Sequence, residues 1–120
     1  MKKKIALIGY GVIGKRVADA IALQEDMELA GVCDVISDWR IQAAVSKGYT
    51  IYAATPEAKS DMEQVDISPA GNMTDLLDVA DVVVDCTPKK IAVQNVQTYK
   101  EREIKFILQG GEKHETTGHS

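Results

Sequence analysis

The run Ile5-Ala6-Leu7-Ile8-Gly9-Tyr10-Gly11-Val12-Ile13-Gly14 constrains this chain more than any other stretch. A short apolar strand leads into glycines spaced G-x-G-x-x-G at Gly9, Gly11 and Gly14, and an apolar-periodic helix leads out. The spacing alone is a weak signal. Between a strand and a helix, with Asp34 following twenty residues after Gly14, it is a strong one. The three glycines serve different physical ends. Gly9 allows the tight turn, Gly11 lets backbone approach a pyrophosphate, and Gly14 lets helix and strand pack closely. The helix start supplies unpaired N–H donors and the positive end of a dipole. The pattern predicts a strand–turn–helix unit that binds a dinucleotide through its phosphates.

A chain of 120 residues is long enough for one domain and its core, but hardly for a separate substrate domain as well. The net charge of −4 argues against a nucleic-acid or acidic-membrane surface. No apolar run approaches the roughly 20 residues needed to span a bilayer. The Met1-Lys2-Lys3-Lys4 start is followed by a short, glycine-broken apolar run, which fits solvated lysines before a strand better than a signal peptide. Cys33 and Cys86 sit in strand-like runs without C-x-x-C or zinc spacing, so they read as inert thiols of a cytoplasmic protein. His114 and His119, with Glu112 and Glu115, lie in a polar tail where their spacing does not hold them on one side, and no metal site is expected.

Taken in order, strands are expected over residues 4–8, 28–33, 49–54, 82–87 and 104–108. Helices are expected over 12–24, 38–47, 56–65 and 89–100, with a short one after Asn72 or Thr74 carrying Leu76, Leu77 and Val79. Ile13, Val17, Ala20 and Ile21 would face the core from the first helix. Trp39, Ile41, Ala44 and Val45 would do so from the second, and Ile91, Val93 and Val96 from the last. Ser37 and Asp38 are candidate caps for the second helix, and Gly48 its stop. The acidic residues Glu57, Asp61, Glu63 and Asp66 read as a solvated face rather than paired catalytic carboxylates. Lys89 and Lys90 oppose the dipole at a helix start; an anion nearby would suit them, and simple solvation accounts for them as well.

Strands alternating with helices predict an α/β fold, a Rossmann-type, doubly wound, mainly parallel five-stranded sheet over residues 1–111. Ligand would then lie at the switch point, across the C-terminal ends of the first and fourth strands. Three loops converge there: 9–14, 34–37 and 87–90, bordered by Gln109-Gly110-Gly111. Asp34, ending the second strand, is placed to accept from adenosine ribose hydroxyls and to repel a 2′-phosphate, which favours NAD and leaves NADP as the second option.

The segment from Ile8-Gly9-Tyr10-Gly11 through Gly14-Lys15-Arg16-Val17-Ala18-Asp19-Ala20, with Asp85-Cys86-Thr87-Pro88 and Gln109-Gly110-Gly111-Glu112, resembles the cofactor region of archaeal-type (type II) glyceraldehyde-3-phosphate dehydrogenases. The resemblance implies oxidation of a small phosphorylated aldehyde, glyceraldehyde 3-phosphate, to 1,3-bisphosphoglycerate with NAD(P) and phosphate, through a cysteine thioester. It implies that Val12, Ile13, Gly110 and Gly111 touch the dinucleotide and that Thr87 lies near its ribose–nicotinamide side. It also implies a homotetrameric whole enzyme.

Three departures from the pattern stand out. Ile8 and Val12 replace an Asn and a Thr, which removes a hydroxyl beside the pyrophosphate. Cys33-Asp34-Val35 stands where NADP users carry a Ser/Thr-Lys-Thr element. The nucleophilic Cys-Asn-Thr-Thr element does not occur in these residues, so no catalytic residue is expected here. Residues 112–120 then read as a polar lead toward an absent catalytic domain, and the 120 residues alone as an inactive fragment. The alternatives are the cofactor domain of another aldehyde or semialdehyde dehydrogenase or reductase, and a non-catalytic NAD-sensing module. A Cys-Asn-Thr-Thr element downstream distinguishes the first reading from these.

Overall fold

The computed structural model describes residues 2–35 and 39–109. The expected roles of Ser37, Asp38, Gly110, Gly111 and the tail 112–120 lie outside the described residues. Strand β1 (Lys3–Ile8) runs into helix α1 (Val12–Ala22), followed by β2 (Met27–Asp34), α2 (Trp39–Ser46), β3 (Ile51–Ala53) and α3 (Pro56–Gln64). Then come α4 (Met73–Val79), β4 (Val82–Asp85), α5 (Lys89–Glu101) and β5 (Lys105–Leu108). The strands form one sheet in the order β3-β2-β1-β4-β5, parallel throughout. The expected doubly wound α/β fold is the one observed.

Alternation along the strands divides the core into two layers. Leu7, Val32, Ile51 and Ala53 face Ala18 of α1, Ile41 and Ala44 of α2, and Ala58 and Met62 of α3. Ala6, Ile8, Cys33, Tyr52 and Val83 face Leu76 and Leu77 of α4 and Tyr99 of α5. Tyr99 stacks at a tilt on Phe106, ring centroids 5.4 Å apart. Such a ring pair contributes about 0.5–1.5 kcal/mol beyond its buried area.

The caps follow from local chemistry. Thr55 accepts from the Ala58 N–H, and Pro56 takes the first position of α3, where its missing N–H costs nothing. Asn72, rather than Thr74, caps α4. Its side chain accepts from the Asp75 N–H, and the Asp75 carboxylate accepts from the Asn72 N–H, a closed capping box.

Three expected helix faces are corrected. On α1, Gly14, Ala18 and Ile21 are buried and Val17 is half-buried, but Ile13 and Ala20 lie exposed. On α2, Ile41 and Ala44 are buried, but Trp39 is 68% and Val45 45% exposed. On α5, Ala92 and Tyr99 are buried and Val96 is half-buried, while Ile91 and Val93 lie exposed. Residues 91 and 93 stand about 200° apart on a helix and cannot share one face. The large Tyr99 decides which face turns inward, and Ala92, two turns earlier, lets the backbone come close.

Candidate functional site

Between β1 and β4 the chain winds off in opposite directions, and the C-terminal ends of the strands open onto a cleft of about 630 Å³. The glycine turn forms its floor. The Gly9 N–H donates to the Cys33 carbonyl at 2.8 Å and the Cys86 N–H donates to the Ile8 carbonyl at 2.7 Å, so the turn is anchored to both neighbouring strands.

The glycines of this turn are glycines for different reasons. Gly9 has φ +93°, and an added Cβ would stand 3.0 Å from Thr87 and from the Cys86 carbonyl carbon. At Gly14 it would stand 2.1 Å from the Gly9 carbonyl oxygen, so α1 can pass that close only without a side chain. At Gly11 the Cβ would meet none of the described residues within 4 Å, and φ −80° suits any residue. The space over Gly11 is open cleft. Gly11 is also the N-cap of α1 without a side-chain cap bond, and the first turn holds no acidic residue. The first N–H groups of a helix have no partner within it, and here that end, with Val12 and Ile13, lines the cleft. These donors, the positive end of the dipole and the room over Gly11 fit a diphosphate.

Asp34 lines the same cleft at the end of β2. Its carboxylate accepts from the Tyr10 N–H at 2.5 Å and from the Val35 N–H at 2.6 Å, tying the glycine turn to β2. One oxygen takes each bond, and each retains a lone pair for another donor.

At the opposite end, sequence reasoning missed a buried network. Asp85, fully buried at the end of β4, accepts from the Thr87 N–H (2.9 Å), the Thr87 hydroxyl, Asn95 Nδ2 (3.0 Å) and the Tyr99 hydroxyl (2.6 Å). Burial, with the bond to Asp85 second, drives the Tyr99 phenol well above its ordinary range. The signal was present: a carboxylate inside an apolar strand needs donors, and Asn95 and Tyr99 sit four residues apart on the next helix. Arg40, Thr55, Met73 and Gln94 also line the cleft and were not singled out. Thr55 lies two residues past the end of β3, at the N-cap of α3, so the rule that ligands sit at strand C-termini could have found it. Lys89 and Lys90 do not line the cleft and are exposed, as solvation requires.

Neither cysteine forms a disulfide. Cys33 is fully buried, and burial, reinforced by the charges of Asp34 and Asp85, pushes its thiol up to about 12. It is no nucleophile at neutral pH. Cys86 lines the cleft, half-buried beside Gly14. Among the described residues, no group of His, Cys, Asp and Glu is arranged to hold a metal ion, and no helix is long and apolar enough to cross a membrane.

Residues 3–116 match the family model described as dihydrodipicolinate reductase, N-terminus. The chain belongs to this family. The chain is 50% identical over 116 residues to a glyceraldehyde-3-phosphate dehydrogenase of Methanothermus fervidus, covering 97% of this chain and 34% of that protein. The enzyme of the same name from Methanothermobacter thermautotrophicus is 46% identical over 95% of this chain and 34% of its own length. That of Methanobrevibacter smithii is 47% identical over 97% and 35%. This member of the family is thus homologous to archaeal glyceraldehyde-3-phosphate dehydrogenases and spans about a third of their length. A solved structure titled NAD-binding protein from Listeria innocua is more loosely alike, with a TM-score of 0.49 and 19% identity, over 91% of this chain and 35% of that one.

Proposed function

We propose that this chain is the NAD-binding part of a phosphorylating glyceraldehyde-3-phosphate dehydrogenase. The observation that carries the binding reading is the start of α1: an uncapped helix N-terminus, open space over Gly11, and Asp34 one strand away. The pyrophosphate of the dinucleotide sits on the N–H groups of the α1 first turn, over Gly11, Val12 and Ile13, with Gly9 and Gly14 shaping the turn beneath. Asp34 accepts from the adenosine ribose with its remaining lone pairs. Thr87 meets the other half of the cofactor, and the resemblance to the archaeal enzymes adds Gly110 and Gly111, outside the described residues, as dinucleotide contacts. Bound NAD supplies the hydride acceptor, and these residues hold and orient it.

The aldehyde substrate and the dehydrogenase reaction come from the archaeal relatives, at 50% identity over nearly the whole chain. The burial of Cys33 supports the view that the nucleophile is another residue. Assembly of the whole enzyme as a homotetramer in the cytoplasm belongs to the same proposal. A second reading, the cofactor domain of a reductase, draws on the description of the matching family model. NADP is the alternative cofactor under either reading.

Calorimetric titration with NAD and NADP tests cofactor choice. The native chain is expected to bind NAD more tightly, because the Asp34 carboxylate repels a 2′-phosphate. Asp34→Asn removes the charge and also one of the two backbone N–H bonds to the side chain, so the readout is the NAD/NADP affinity ratio, which should shift toward NADP by roughly tenfold. Equal binding of the two by the native chain, or an unchanged ratio in the variant, removes Asp34 as the determinant.

A further inference from the structure

We propose that Asp85 is a positioning residue that fixes the Thr87 hydroxyl as a hydrogen-bond acceptor toward the cleft, so that this end selects a ligand half bearing a hydroxyl or carboxamide N–H donor. The inference deepens the dinucleotide reading and rests on it.

A carboxylate only accepts hydrogen bonds and offers about four lone-pair sites. At Asp85 all four are taken: Oδ1 by the Thr87 N–H and hydroxyl, Oδ2 by Asn95 Nδ2 and the Tyr99 hydroxyl. Nothing remains for a ligand, so Asp85 acts only through its partners. A hydroxyl has one proton, and that of Thr87 is committed to Asp85. What Thr87 Oγ1 can still offer is lone pairs. The orientation of Asn95 is settled by the same logic, since its NH2 must face the carboxylate and its carbonyl oxygen the other way. Thr87 and Asn95 both line the cleft, and Thr87 is 8% exposed. It also abuts Gly9, on the β4 side of β1, whereas Asp34 stands on the β2 side. If the adenosine lies at Asp34, the donor that Thr87 meets belongs to the nicotinamide ribose or its carboxamide.

NAD and ADP, the latter lacking that half, serve as probes in calorimetric titrations. Thr87→Val should weaken NAD binding roughly three- to tenfold while leaving ADP unchanged, and Thr87→Ser should restore it. Asp85→Asn places an NH2 where two donors now converge, and should weaken NAD by a similar factor without affecting ADP. Equal losses for both probes, or none for NAD, overturn the proposal. If Asp85→Asn does not fold, the native chain decides. Its Thr87 hydroxyl proton should give a slowly exchanging NMR resonance coupled across the bond to Asp85, and rapid solvent exchange of that proton contradicts the assignment. A native chain that binds neither probe refutes the dinucleotide reading itself, which is a different result from NAD binding that Thr87→Val leaves unchanged.

Discussion

At Gly14 an added Cβ would stand 2.1 Å from the Gly9 carbonyl oxygen, which is backbone and cannot swing aside. Gly14→Ala should therefore lower stability by roughly 1–3 kcal/mol, read from the shift in urea midpoint, whether or not ligand is present. Tyr10 behaves in the opposite way. Its ring is fully buried between β1 and the α1–α3 layer, and its hydroxyl has no hydrogen-bond partner among the described residues. Burial also raises its phenol above the ordinary range. Tyr10→Phe removes a desolvated polar atom at almost constant shape and should stabilise the chain by about 1 kcal/mol. A loss of stability would mean that the hydroxyl has a partner after all, such as a bound water. The three glycines were legible in the sequence because their spacing encodes a backbone path. The Tyr10 hydroxyl and the Asp85 network were not, because hydrogen-bond satisfaction depends on which side chains meet across the sheet.

The helices and strands were legible wherever local chemistry decides them. Val82 to Val84 signalled a buried parallel strand, and the helix expected over residues 56–65 is α3. Asn72 with Asp75 three residues later closes the capping box of α4. Asn72→Ala should cost about 1 kcal/mol, measured by chemical denaturation, since it leaves the Asp75 N–H without its acceptor. An unchanged midpoint would show that water replaces the cap fully. The inward faces of α1, α2 and α5 were less legible. Ile91 and Val93 look like core residues by type, yet Ala92 and Tyr99 are buried in their place, because the partner of α5 is Phe106 on β5 and the Asp85 carboxylate beneath. Ile107 shares the face of its register partner Val84, on the side carrying α1, α2 and α3, and is 50% exposed. Burial there depends on what lies over the edge of the sheet, and strand periodicity does not carry that.

For the molecule as a whole, the order β3-β2-β1-β4-β5 follows from alternating elements and right-handed crossovers, so the switch point and its cleft could be placed before any coordinates. The glycine turn, Asp34 and Thr87 do converge there; Arg40, Met73 and Gln94 join them from segments that gave no motif. The proposed seat of the pyrophosphate is the start of α1. Gly11 isolates it, because among the described residues no contact, and no backbone angle, requires glycine at that position. Gly11→Val should fold, losing at most about 1 kcal/mol at the N-cap. The decisive measurement is a side-by-side calorimetric titration of the native chain and Gly11→Val with NAD, with folding checked by circular dichroism. Saturable binding by the native chain, weakened at least roughly tenfold in a folded Gly11→Val, is the predicted result. Equal NAD affinity in the two proteins would contradict it.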